Sequence, residues 1–234
     1  MAIIQTTTIN LDINGDDALA HLARPDDDRP HPGLVLIQEV WGIEPHIRDL
    51  AQRLAAEGFV VLVPDFFHGK IATEFEDARK IAMGLFGNMT RALHECQGAL
   101  DYLKSLSYVE PKKLGVMGFC MGGNITYQVA SLSADVGAAV PWYGGRYDPT
   151  PTDVSRIQAP VLAIYGGRDQ GIPLEQVHKI EAMFQAAGKD ATFLVYPDAG
   201  HAFLNPTHGG GSYHEASAQD AWAKAIAFLK QHLT

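Results

Sequence analysis

Two cysteines in 234 residues are too few for a disulfide framework, so the fold must be held by a core rather than by cross-links. Positive charge is also scarce. Lys and Arg total 18 against 27 Asp and Glu, a net charge of -9, and no cluster of basic residues is interleaved with aromatics. A nucleic-acid surface is therefore not expected. No apolar run reaches the roughly 18 residues of a membrane span, and the opening MAIIQTTTINLDINGDD lacks a basic stretch leading into an apolar core. The expectation is a protein without a membrane partner, resident in the cytoplasm. Its length and 47% hydrophobic content fit a single domain over residues 1–234 with a full core.

What is present is an alternation of short apolar runs and amphipathic segments. Residues 3–23 alternate apolar and polar around Asn14-Gly15-Asp16-Asp17, which predicts an antiparallel hairpin at a sheet edge. Residues 24–32 read as a loop with three solvated aspartates. GLVLIQE, VVLVPDFF, AAVPWYGG (138–145), PVLAIYGG (160–167) and TFLVYPDAGHAF read as strands, most of them buried on both faces. Between them, 46–59, 71–106 (broken near Gly84 and Gly87), 173–187 with an apolar face of Val177, Ile180, Phe184 and Ala187, and a C-terminal segment carrying Ala218, Trp222, Ala225 and Leu229 have helical spacing. RYDPTPTDVS is expected to be a loop. Alternating strands and helices predict an α/β fold with a mostly parallel sheet and helices on both faces.

The sharpest local feature is KLGVMGFCMGG, residues 113–123, after Pro111: a strand, a tight turn at Cys120, then a helix-competent segment. Glycines two residues either side of Cys120 are what a strained nucleophile turn requires, and the Met121 N-H at a helix start favours a thiolate or an oxyanion. Cys96 falls instead in an apolar stripe with Met89, Leu93, Leu100 and Leu103, which marks it as core. Asp169 follows a later strand in Gly166-Gly167-Arg168-Asp169, and His201 follows the last in Asp198-Ala199-Gly200-His201. The chain order nucleophile, acid, histidine is that of the α/β-hydrolase fold. His201 would take the thiol proton and Asp169 would orient the imidazole. His208 and His214 flank Gly209-Gly210-Gly211 without HExxH, CxxC or carboxylate company, so no metal is expected there and both read as surface loop histidines.

These motifs resemble the dienelactone hydrolases. The resemblance spans nearly the whole chain and rests on Gln38-Glu39 with Trp41-Gly42, Pro64-Asp65, Gly118-Phe119-Cys120-Met121-Gly122-Gly123, Gly167-x-Asp169 and Gly200-His201-x-Phe203. It implies an α/β-hydrolase that opens a small ester or lactone with a thiolate, without a metal or organic cofactor. It implies Cys120 as nucleophile, His201 as base, Asp169 as its orienter, Glu39 as an additional carboxylate, and the N-H groups of Val40 and Met121 as oxyanion donors. Trp41, Tyr143, Phe203 and Arg79 become candidates for substrate contact, with Arg146 on a rim loop. The family pattern has an Arg where this chain has Asn205, which turns the expectation toward neutral esters or lactones. A monomer or weak homo-oligomer is expected. The alternatives are a ligand-binding or thiol-redox protein on the same scaffold, or a class I glutamine amidotransferase, although His201-Ala202-Phe203 lacks the His-x-Glu pair of the latter.

Overall fold

The structure is a computed structural model that describes residues 3–13, 16–110, 114–145, 149–209 and 212–234. The hairpin tip Asn14-Gly15, Pro111, Lys113, Arg146 and the glycines 210 and 211 lie outside the described residues. The chain runs β1 (Ile4–Ile13), β2 (Asp16–Pro25), β3 (Gly33–Ile37), α1 (Pro45–Ala56), β4 (Val60–Pro64), α2 (Phe75–Phe86), α3 (Met89–Ser105), β5 (Leu114–Phe119), α4 (Met121–Leu132), β6 (Val136–Trp142), α5 (Pro151–Arg156), β7 (Val161–Gly166), α6 (Leu174–Ala186), β8 (Ala191–Tyr196) and α7 (Glu215–Leu233). The sheet order is β1-β2-β4-β3-β5-β6-β7-β8. β2 runs antiparallel to both β1 and β4, and the remaining pairs are parallel.

Residues in β3, β4, β5, β6 and β7 are buried throughout, as continuous Val, Leu and Ile runs between two helix layers require. β8 at the edge is only half-buried. α1 and α7 lie together, with Lys230 Nζ 2.6 Å from Glu57 and the Arg53 guanidinium 4.3 Å above the Trp222 ring. α4 and α6 meet in a second group, where the Tyr127 and Phe184 rings are 6.0 Å apart. Behind β6 the Tyr127 and Tyr165 hydroxyls are 2.9 Å apart, and Tyr165 donates to the Gly144 carbonyl. Cys96 is fully buried on α3, and burial pushes its thiol far above the usual range.

Three expectations are corrected. Residues within RYDPTPTDVS form α5 rather than loop. Thr150 and Asp153 make a reciprocal capping box, and Pro151 sits at the first turn, where its missing N-H costs nothing. Ala187 lies beyond α6 and is exposed, because the chain leaves the helix there toward Gly188. Arg24 and Pro25 belong to β2 rather than to the loop, paired with Gln5 and Ile4, while the aspartates beyond them lie at the surface, where Gln5 donates to Asp26 and Asp27 lies 2.7 Å from His31. Among the described residues, no helix is long and apolar enough to cross a membrane.

Candidate active site

The exits of β3, β5, β6, β7 and β8 all open on one rim. Cys120 caps β5 with φ 53° and ψ -111°, a strained pair for a residue with a Cβ. Two glycines make the turn possible. A Cβ on Gly118 would lie 2.3 Å from the Gly122 carbonyl oxygen, and one on Gly122 would lie 2.5 Å from Ile37 O and 2.7 Å from Gln38 O. That second approach sets the start of α4, with Met121 at its head, against the exit of β3. The turn is held by Cys120 N-H donating to Trp142 O at 3.0 Å and Asn124 N-H donating to Cys120 O at 3.2 Å.

His201 Nε2 lies 3.2 Å from Cys120 Sγ, and its Nδ1 lies 2.6 Å from Asp169 Oδ2. Burial alone would depress the imidazole, but the hydrogen bonds and charges of Asp169 and Cys120 outweigh it and hold His201 up at about 10. The His201 side chain is 38% exposed, so the thiol–imidazole pair is open to solution while Asp169 is buried behind it.

Short polar side chains brace these exits. Asp169 Oδ1 accepts the N-H groups of Gly171 at 2.8 Å and Ile172 at 3.0 Å. Asp65, after β4, accepts from Phe67 N-H at 3.1 Å and Gly69 N-H at 2.6 Å. Asn205 Oδ1 accepts from Thr207 N-H and His208 N-H, both at 2.9 Å. Such turns are encoded locally, by the side chain that opens them.

Glu39 is 2% exposed. Asn205 Nδ2 donates to its Oε2 at 2.5 Å, and the Tyr143 hydroxyl donates to its Oε1 at 3.4 Å. Desolvation raises the Glu39 carboxyl to about 7, against the opposing pull of Asn205, His201 and Tyr143. Tyr143 itself adopts φ 37°, and its ring stands edge-on to His201 at 5.3 Å. Phe203 and Tyr143 are both fully buried, with their rings 5.7 Å apart.

Trp41 is half-buried at the rim, stacked on His208 at 4.0 Å and 15° and tilted toward exposed Phe75 at 6.3 Å. Next to them Glu44 caps α1 by accepting from His46 N-H at 2.9 Å, and burial lowers the His46 imidazole to about 4. Arg79 is not drawn into this cluster by any described contact. It is exposed on α2, 3.0 Å from Glu76. The expectation of free surface histidines is corrected: His208 packs on Trp41, and His214 caps α7 by accepting from Ser217 N-H at 3.3 Å. The contacts of Asn205 and Tyr143 with Glu39 join residues 166 and 104 apart, and nothing local in the sequence signals them. Among the described residues, no group of three or more His, Cys, Asp or Glu side chains could hold a metal ion.

An eight-stranded, mostly parallel sheet with a thiol and an imidazole paired at its strand exits defines an α/β-hydrolase. The family model of the dienelactone hydrolase family matches residues 19–233, and the chain belongs to that family. It is 36% identical over 231 residues to a Salmonella typhimurium protein provisionally named a carboxymethylenebutenolidase, covering 93% of this chain and 84% of that one. It is likewise 36% identical over 208 residues to Protein usf of Aquifex pyrophilus, covering 87% and 89%. Among solved structures, a Klebsiella pneumoniae protein provisionally named a dienelactone hydrolase superposes with a TM-score of 0.88 at 30% identity, covering 98% of this chain and 99% of that one.

Proposed function

We propose that residues 1–234 act as one cofactor-independent cysteine hydrolase that opens a small ester or lactone through an acyl-cysteine. The observation that carries this is the unbroken contact Cys120 Sγ, His201, Asp169 at 3.2 and 2.6 Å, on a strained turn at a helix N-terminus.

His201 Nε2, 3.2 Å from Sγ, takes the thiol proton as the sulfur attacks. Sγ adds to the carbonyl carbon, and the electron pair displaced onto oxygen is met by the N-H groups of Met121 and Val40 and by the positive end of α4. Collapse expels the alkoxide, which takes the proton from His201 and leaves a thioester. In a lactone that alcohol stays attached to the acyl group. Water then attacks the thioester, giving its proton to neutral His201, and the thiolate departs from the carboxylic acid product. Asp169 keeps Nε2 directed at the sulfur throughout. Glu39, poised near neutrality, is a second proton acceptor beside the pair.

Asn205 is committed to Glu39 and its own turn, so no cation stands at that position to anchor a substrate carboxylate, which favours substrates without one. Wild type, Cys120→Ala and Cys96→Ala are to be compared on enol-lactones, aryl esters and thioesters, with intact-mass trapping of the acyl-enzyme. Loss of turnover and adduct in Cys120→Ala alone is expected. Turnover that survives Cys120→Ala overturns the nucleophile. A matched acid and methyl ester test the substrate class, and a hundredfold preference for the acid would refute it.

A further inference from the structure

Asn205 stands four residues beyond His201 with its side chain out of solvent. Its carbonyl oxygen is taken by the Thr207 and His208 N-H groups, both at 2.9 Å. Two donors require an acceptor, so the amide nitrogen has to be the atom that faces Glu39 Oε2. The other groups around Glu39 come from several elements. The Tyr143 hydroxyl arrives from the β6 exit, the His201 cation from the β8 exit, and the opposing charge of Glu44 from the head of α1. The Cys120 sulfur shares Tyr143 as a neighbour with Glu39, and the His208 imidazole acts on Glu44. Desolvation favours the neutral acid, and the Asn205 hydrogen bond is foremost among the contacts that favour the carboxylate.

We propose that Asn205 is the positioning residue for Glu39: its N-H fixes the carboxylate beside the Cys120–His201 pair and favours the ionised form, while its carbonyl oxygen ties that hold to the 205–208 turn. The same turn carries His208, stacked on Trp41, so a displacement at the rim is passed to the carboxylate through one amide group. The claim about ionisation stands on this geometry, whereas the kinetic consequence rests on the proton-acceptor role given to Glu39 above.

The test follows the Glu39 carboxyl band in pH-dependent infrared difference spectra, assigned by its loss in Glu39→Gln, together with kcat/KM against pH for an ester that wild type hydrolyses. Asn205→Ala removes donor and turn acceptor together. Asn205→Ser keeps a neutral turn acceptor on a side chain too short to reach Glu39, so it remains informative if the alanine variant unfolds. Both are expected to raise the Glu39 midpoint by about one pH unit or more, the size of one charge-assisted hydrogen bond. Starting from a midpoint of about 7, that leaves about a tenth of Glu39 ionised at pH 7 and lowers kcat/KM about fivefold, with recovery one to two units higher. In a Glu39→Gln background the Asn205 substitutions should no longer move the profile. An unmoved infrared midpoint in both variants overturns the proposal. A midpoint that moves while kcat/KM does not follow it supports the positioning and removes Glu39 from the proton transfers instead.

Discussion

Asp169→Asn changes one atom, and its consequence follows from where that atom lies. Oδ1 accepts from Gly171 and Ile172 at 2.8 and 3.0 Å, and an asparagine oxygen accepts the same two bonds, so the turn should persist. Oδ2, 2.6 Å from His201 Nδ1, becomes an NH2 group that can only donate. Nδ1 must then be the bare nitrogen and Nε2 the protonated one, which is the wrong tautomer for accepting a proton from Cys120 or water. The exchange also removes the carboxylate that helps hold His201 at about 10, so the imidazolium should lose its proton at a lower pH. In the serine triad such a reversal lowers kcat about 10⁴-fold. A thiol depends less on its base than a hydroxyl does, so the expected fall is about a hundred- to a thousandfold, or roughly 3–4 kcal/mol of barrier. The assay is kcat and KM on one ester, with thermal melting and the imidazole proton resonances of both proteins. Retention of a third or more of kcat in a fully folded variant would refute the orienting role. A fall matched by a drop of many degrees in Tm would assign it to the turn.

Glu39→Gln should trade activity for stability. Burial raises the carboxyl from 4.5 to about 7, so folding binds a proton across that window and stability falls as pH rises through it. Glutamine still accepts from Asn205, so denaturation at pH 8 should show a gain on the order of 3 kcal/mol that is absent at pH 4, and equal differences at both would count against a burial cost. His201 runs in the same direction over a higher window: its stabilising contacts are fully present below 6.5 and are lost as pH rises through about 10. Gly122→Ala pushes a methyl group into the Ile37 and Gln38 carbonyls, which should cost about 1–3 kcal/mol and displace Met121, whereas Gly84→Ala on α2 meets nothing within 4 Å and should be neutral or better. Equal melting temperatures for these two variants would sink the account of the turn.

The sheet and the positions of Cys120, Asp169 and His201 are legible because β3 to β7 are continuous apolar runs and each of those residues follows a strand end. α5 was missed although Thr150-Pro151-x-Asp153 carries its own capping signal, since the turn-forming residues around it outweighed a helix of one and a half turns. Spacing alone puts Ala187 on a helix face, and spacing does not say where the chain turns away. The Glu39 environment was beyond reach for a different reason. A contact between residues 39 and 205 depends on strand order, and whether a loop histidine such as His208 meets solvent or an indole depends on the rim that order creates.

Asp169 and Asn205 share a construction that limits how this rim can vary. Each spends one atom on its own backbone and offers the other to a partner, His201 in one case and Glu39 in the other. Most replacements would therefore change chemistry and loop shape at once. Aspartate and asparagine both keep an acceptor for the turn beside a second polar atom, and they differ only in whether that atom accepts or donates. The polarity of the rim is in effect written in a two-letter alphabet: an acid at 169 calls for a donor imidazole, and an amide at 205 calls for an acceptor carboxylate. Relatives could retune their electrostatics by exchanging those letters while leaving the scaffold untouched.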